Sequence, residues 1–164
     1  GGITDGVTNL EMTAAYATIA NQGTYTRPVF YSQVIDSNGR VLLDNTTPTT
    51  HTVLKASTAS LLTQGMTSVI TEGTGTSAKL DGKMPVSGKT GTTSSEYDLW
   101  FCGYTPYYST AVWVGYDNPR AVSNLYGSTY PLYIWHEFME DLHSGLEYAD
   151  FVYDTGSSDS SDQT

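Results

Sequence analysis

The 164-residue sequence predicts an α+β fold in which helices flank an antiparallel sheet. Three observations carry that expectation. An Asn38-Gly39 pair separates two β-branched and aromatic runs, a strong hairpin signal. Residues 84–116 hold three strand-like segments joined by short connections, as in a meander. Three other stretches space their apolar residues by three and four, the period of a helix with one buried face.

The first helix is expected from Asn9 to about Asn21. Thr8 and Glu11 fit a capping box, in which hydroxyl and carboxylate each satisfy an unpaired amide of the first turn. Leu10, Ala14, Ala15 or Ala17, and Ile19 predict a tightly packed, buried face, and Gly23 is placed to end the helix in a left-handed conformation. Segments 28–35 and 40–43 follow as the two arms of the hairpin, and 46–51 reads as a loop. A second helix is expected over 56–71 on Leu61, Leu62, Met66, Val69 and Ile70, with Ser57 as its cap and Glu72-Gly73-Thr74-Gly75-Thr76 as its end. The meander comprises 84–92, 99–104 and 110–116, with Trp113 near Trp100 or Tyr104. A last helix begins near Pro131 and carries Leu132, Trp135, Phe138, Met139 and Leu142 on one face. Residues 1–153 are read as one partial domain and 154–164 as a flexible polar tail rich in Ser and Asp.

Composition narrows the function. A hydrophobic content of 38% supports a real core, while seven basic against seventeen acidic residues give a net charge of -10. Nucleic-acid binding is excluded as a main role, because affinity for phosphate backbones comes from clustered Lys and Arg. No segment approaches the roughly 20 apolar residues of a membrane span. The start, Gly1 to Val7, has neither an initiator methionine nor a targeting pattern, so the chain is expected to be an internal piece of a longer polypeptide. Cys102, the single cysteine, reads as a packed core residue. His51, His136 and His143 do not cluster, so no metal site is expected, and no cofactor either. Asp81, Glu96 and Asp98 read as solvated charges or as partners for Lys83 or Lys89. The thirteen tyrosines read mainly as core and sheet-surface residues, with those around 126–130 as candidates for a cleft wall.

The chemistry concentrates in Ser87-Gly88-Lys89-Thr90-Gly91-Thr92-Thr93, which sets a cation and hydroxyls beside a backbone left open by glycine. A phosphate-binding loop does not fit. Its first glycine would fall at Lys83, and the residues after Thr90 are strand-like where that loop needs a helix. Lys89-Thr90-Gly91 does match the third motif of serine acyl-transferases. Its companions are Gly6-Val7-Thr8-x-Leu10-Glu11-Met12, Ala15-Tyr16-Ala17-Thr18-Ile19-Ala20-Asn21, Gly73-Thr74-Gly75-Thr76, Trp100-Phe101-x-Gly103-Tyr104-Thr105-Pro106 and Val112-Trp113-Val114-Gly115-Tyr116-Asp117-Asn118-Pro119. In that order they closely resemble the C-terminal part of the transpeptidase domain of class A, bifunctional penicillin-binding proteins, over about residues 1–145.

The resemblance implies cross-linking of peptidoglycan stem peptides. A serine attacks the carbonyl between two terminal D-alanines, and β-lactams, which resemble that end, acylate the same serine. It implies catalytic roles for Lys89 and Thr92, the first supplying positive charge and the second a backbone N–H of the oxyanion hole. Thr90, Gly91, Thr92 and Thr93 are implied to bind substrate. It further implies a membrane-anchored parent protein working on the extracytoplasmic, cell-wall side of a bacterial membrane. The sequence departs from the family in one respect. No lysine has a serine three residues before it: Thr52, Thr76, Leu80 and Val86 stand there for Lys55, Lys79, Lys83 and Lys89. Nor is there a Ser-x-Asn. The nucleophile is therefore expected in the N-terminal remainder of the same domain, upstream of Gly1, and the isolated chain is expected to be inactive. The alternative is a noncatalytic module that binds cell-wall peptide or glycan.

Overall fold

Three consecutive strands pair in chain order to form the centre of the structure, a computed structural model that describes residues 6–122 and 124–154. β5 (Ser87–Thr92), β6 (Asp98–Tyr104) and β7 (Ser109–Gly115) are antiparallel, with Lys89 opposite Cys102 and Trp100 opposite Trp113. The expected meander is thus present. Because side chains of a strand alternate, Tyr104, Cys102 and Trp100 share one face of the sheet while Phe101 and Leu99 share the other.

Each face receives a helix. α1 (Asn9–Ala20) crosses the Cys102 face, where Tyr16 meets Tyr104 edge-on at 6.5 Å and Ser109 Oγ donates to the Thr13 carbonyl at 3.3 Å. Its capping box is formed as the sequence requires, with the Thr8 hydroxyl accepting from the Glu11 amide and the Glu11 carboxylate accepting from the Thr8 amide. Its burial is less than expected. Only Thr18 is fully enclosed and Leu10 is half exposed, because one side of this helix faces no other described element. Gly23 takes the expected left-handed conformation at φ +85°.

α3 (Tyr130–His143) covers the opposite face, inserting Leu132, Trp135 and Met139 against Phe101. The Phe101 and Trp135 rings meet edge-on at 5.1 Å, and the Trp135 indole donates to the Thr110 carbonyl. The expected single face is corrected. Residues 132, 135 and 139 form the buried stripe, whereas Phe138 and Leu142 fall on the i+4 row of Tyr130 and Ile134, which points outward. α2 (Ala56–Thr71) lies along β5, joined to it by a buried bond from Ser87 Oγ to the Thr63 carbonyl. Its N-cap is Lys55, with no side-chain bond, so Ser57 does not cap it. A 3₁₀ turn at Thr76–Ala78 and residues 80–86 then close the core beside Ile70.

The hairpin is present in shorter form as β2 (Gln33–Ile35) and β3 (Val41–Asp44), its turn fixed by Asp36 Oδ1 accepting from the Asn38 and Arg40 amides. The expected loop at 46–51 is a correction. Thr50–Thr52 forms β4, paired antiparallel with β1 (Thr24–Thr26), so His51 stacks near Tyr25 on a ribbon. Neither three-residue strand has enough alternation to announce itself in sequence. Of the expected tail, only Asp154 is among the described residues, and its amide donates to Ser60 Oγ.

The division of α3 into a buried and an outward row is testable. Trp135→Ala should cost about 3–5 kcal/mol of unfolding free energy, and Phe138→Ala less than about 1 kcal/mol. Chemical denaturation of the two variants checks the contrast.

Candidate active-site wall

β5 is an edge strand: no other described strand pairs with its outer side. Thr93 donates its amide to the Asp98 carbonyl at 3.1 Å, which fixes the phase of the ladder. In an antiparallel pair, hydrogen-bonded positions alternate, so the amides of Lys89 and Gly91 also point at β6 while those of Thr90 and Thr92 point to the open edge. The Thr92 N–H is therefore aimed away from the sheet.

The same alternation divides the side chains. Lys89 lies on the α1 face with Cys102, whereas Thr90 and Thr92 lie on the α3 face with Phe101 and Leu99. A groove of about 500 Å3 runs between β5 and the start of α1, lined by Lys89 to Thr93, Val7, Thr8, Met12, Tyr16, Trp100 and Trp113. All five sequence-predicted site residues border it. Lys89 is exposed and donates from Nζ to the Thr90 carbonyl at 2.8 Å. Two of its three ammonium protons remain for other acceptors.

Two segments reach the strand from elsewhere: residues 73–76, read from the sequence as the end of a helix and as one of the companion motifs, and the stretch 126–130, whose tyrosines are sequence candidates for a cleft wall. The Thr74 hydroxyl lies 2.9 Å from the Thr90 hydroxyl. Gly127, in the loop ahead of α3, donates its amide to Thr92 Oγ1 at 3.0 Å. A Cβ at Gly127 would clash with the carbonyl oxygens of Trp100 and Gly91, so only glycine permits this approach. The demand at Gly91 is milder, with a Cβ 3.3 Å from that of Trp100.

The floor of the groove is apolar and unreactive. Burial pushes the Cys102 thiol up to about 12, and burial reinforced by Cys102 and Tyr104 pushes the Tyr16 phenol up to about 12. Asp98 accepts from the Trp113 indole at 3.0 Å. Asp81, Glu96 and Asp98 form no ion pair with Lys83 or Lys89 among the described residues, contrary to one reading of the sequence. Tyr126 and Tyr130 lie outside the groove lining and are more than half exposed. The histidines serve packing: His143 donates from Nδ1 to the Met139 carbonyl and bonds Thr105 through Nε2, while His136 donates to the Lys79 carbonyl. Among the described residues no group of three or more His, Cys, Asp or Glu is placed to hold a metal, and no helix is long and apolar enough to cross a membrane.

The profile described as the penicillin binding protein transpeptidase domain matches residues 1–140. The chain belongs to that family. It is 42% identical over 149 residues to penicillin-binding protein 1A of Clostridium botulinum, a match covering 90% of this chain and 18% of that protein. Penicillin-binding protein 1A of Aquifex aeolicus is 39% identical over 135 residues, covering 82% and 18%. Among solved structures, the penicillin-binding protein PonA1 from Mycobacterium tuberculosis superposes with a TM-score of 0.76 at 34% identity, covering 88% of this chain and 40% of that one. Penicillin-binding protein 1A from Haemophilus influenzae shares the fold, with a TM-score of 0.74 at 20% identity. The chain thus spans under a fifth of the length of the Clostridium botulinum relative. Helices on both faces of an antiparallel sheet are the architecture that the sequence predicted for this family.

Two outcomes follow from the geometry. Gly127→Ala should push the pre-α3 loop off the sheet and free the Thr92 hydroxyl, seen as amide chemical-shift changes centred on Thr92 and Gly91 while the shifts of α2 stay in place. Alkali should weaken the fold through Tyr16 and Cys102. Both have raised folded-state values, so their contribution is intact below the ordinary 10.0 and 9.0 and is lost as pH rises toward about 12. Stability measured by denaturant should fall across that window, and less steeply in Tyr16→Phe and Cys102→Ala.

Proposed function

We propose that this chain is the substrate-binding and oxyanion wall of a peptidoglycan D,D-transpeptidase, and that a serine outside these 164 residues is the nucleophile. The observation that carries the reading is the Thr92 amide directed to the open edge of a Lys-Thr-Gly strand, beside a groove that Lys89 to Thr93 line. In the reaction the serine hydroxyl adds to the carbonyl between two terminal D-alanines. The negative charge that forms on the carbonyl oxygen needs a fixed donor, and the Thr92 N–H is such a dipole; loss of one donor of this kind costs ~3–4 kcal/mol in the transition state. The tetrahedral intermediate collapses with release of D-alanine, and the amine of a neighbouring stem peptide then takes the acyl group from serine.

Lys89 and the hydroxyls of Thr90, Thr92 and Thr93 have the chemistry to hold the substrate's terminal carboxylate. PonA1 has been solved in complex with penicillin V, which supports β-lactams as ligands of the complete domain. The partner that completes the site is the N-terminal remainder of the same domain, seated over the groove and along the outward rows of α1 and α3. Residues 1–153 form the domain's C-terminal portion. The parent protein works outside the cytoplasm, anchored in the membrane whose cell wall it builds.

A fluorescent penicillin separates the parts. The chain alone should take no label that survives denaturation. The complete gene product carrying this segment should take one label per protein, and should lose it when Thr92 is replaced by proline, which has no N–H. Stoichiometric labelling of the isolated chain, or none of the complete product, overturns the proposal.

A further inference from the structure

The contact between Thr74 and Thr90 has no role in the reaction as derived above. Thr74 stands between two glycines at the end of α2, and the amides of Gly73 and Gly75 both donate to the Val69 carbonyl, at 3.1 and 3.0 Å. A Cβ on Gly73 would lie 2.9 Å from Val69 Cα, and one on Gly75 2.8 Å from Ile70 Cδ1. The Gly-Thr-Gly run is therefore a tight hook with a single polar tip. That tip ends 2.9 Å from the Thr90 hydroxyl, on a strand 16 residues away.

A hydroxyl has one proton and two acceptor sites. With the groove empty, either threonine donates to the other. A carboxylate beside Thr90 removes that choice, because it only accepts: Thr90 must give it the proton, and Thr74 must then donate to Thr90 Oγ1. The resulting chain of hydroxyls polarises in one direction and strengthens the outer bond. Thr92 is already arranged in this manner, since the Gly127 amide can only donate to its oxygen and leaves its proton free.

We infer that Thr74 is a positioning residue, which orients the Thr90 hydroxyl as a proton donor to an anionic group bound along β5. The inference rests on the transpeptidase reading and adds to it a residue outside the strand. It is tested in the complete gene product by the rate of acylation with penicillin and with its methyl ester, which lacks the charge. Thr74→Val should slow acylation by penicillin about five- to tenfold, the loss expected for one hydrogen bond. It should slow the ester less, since a neutral carbonyl accepts a weaker hydrogen bond than a carboxylate, should leave the melting temperature unchanged, and Thr74→Ser should restore the penicillin rate. Gly73→Ala, which displaces the hook, should reproduce the selective loss. Equal rates in wild type and Thr74→Val, or equal slowing with acid and ester, overturn the inference while leaving the transpeptidase reading intact. A wild type that takes no label overturns both.

Discussion

The register of β5 against β6 is the constraint on which the rest depends. Pairing Lys89 with Cys102 decides at once which face each side chain takes and which amides remain unpaired. A shift by one residue would bury Lys89 against Trp135 and turn the Thr92 N–H into the ladder. What holds the register is the unequal covering of the two faces. Phe101, Leu132, Trp135 and Met139 are fully enclosed on one side, and the Tyr104 hydroxyl is tied to Thr63 at 2.7 Å. On β5 itself Ser87 is fully buried and donates its hydroxyl to the Thr63 carbonyl at 2.8 Å, a bond that a slip against β6 would break in the interior.

The strand is then trimmed from outside. Both hydroxyls of the Thr90-Gly91-Thr92 run meet groups that arrive from other parts of the chain, one from the end of α2 and one from the loop ahead of α3. Such contacts leave the edge amides open while removing freedom from the side chains, which is what an electrostatic wall requires: donors fixed before the charge develops. The net charge of -10 does not help an anionic ligand approach. Screening over about 8 Å at physiological salt confines that repulsion, and the role proposed for the wall assigns the attraction to Lys89 and the fixed dipoles near it.

Much of the fold was legible because its signals are local. The capping box at Thr8 and Glu11, the Asn-Gly turn and the span of α2 are each decided within a few residues, and the structure has them; the apolar face expected for α2 is corrected, since of Leu61, Leu62, Met66, Val69 and Ile70 only Ile70 is buried, beside Ala59, Ser60 and Thr63, while Leu61 and Leu62 are exposed. What escaped was decided at a distance. β1 and β4 are three residues each and exist because they pair with one another across 23 intervening positions, which no local period encodes. Phe138 has the hydrophobicity of a core residue, and only the angle at which α3 meets the sheet turns it outward. The strand of the site was readable from Lys89-Thr90-Gly91. Thr74 appeared in the sequence as part of a recurring Gly-Thr-Gly pattern, but its reach to Thr90 required the turn at Val69. Gly127 had no sequence signal at all; its need for glycine comes from carbonyls of two other strands.

Everything proposed for the site requires β5 to present alternate amides to an open edge. Amide-resolved hydrogen exchange of the chain, followed by NMR, reads that arrangement directly. Slow exchange is expected at Lys89, Gly91 and Thr93 and fast exchange at Thr90 and Thr92. Protection of Thr92 equal to that of its neighbours would contradict it, since an amide held within the molecule has no dipole to offer a substrate.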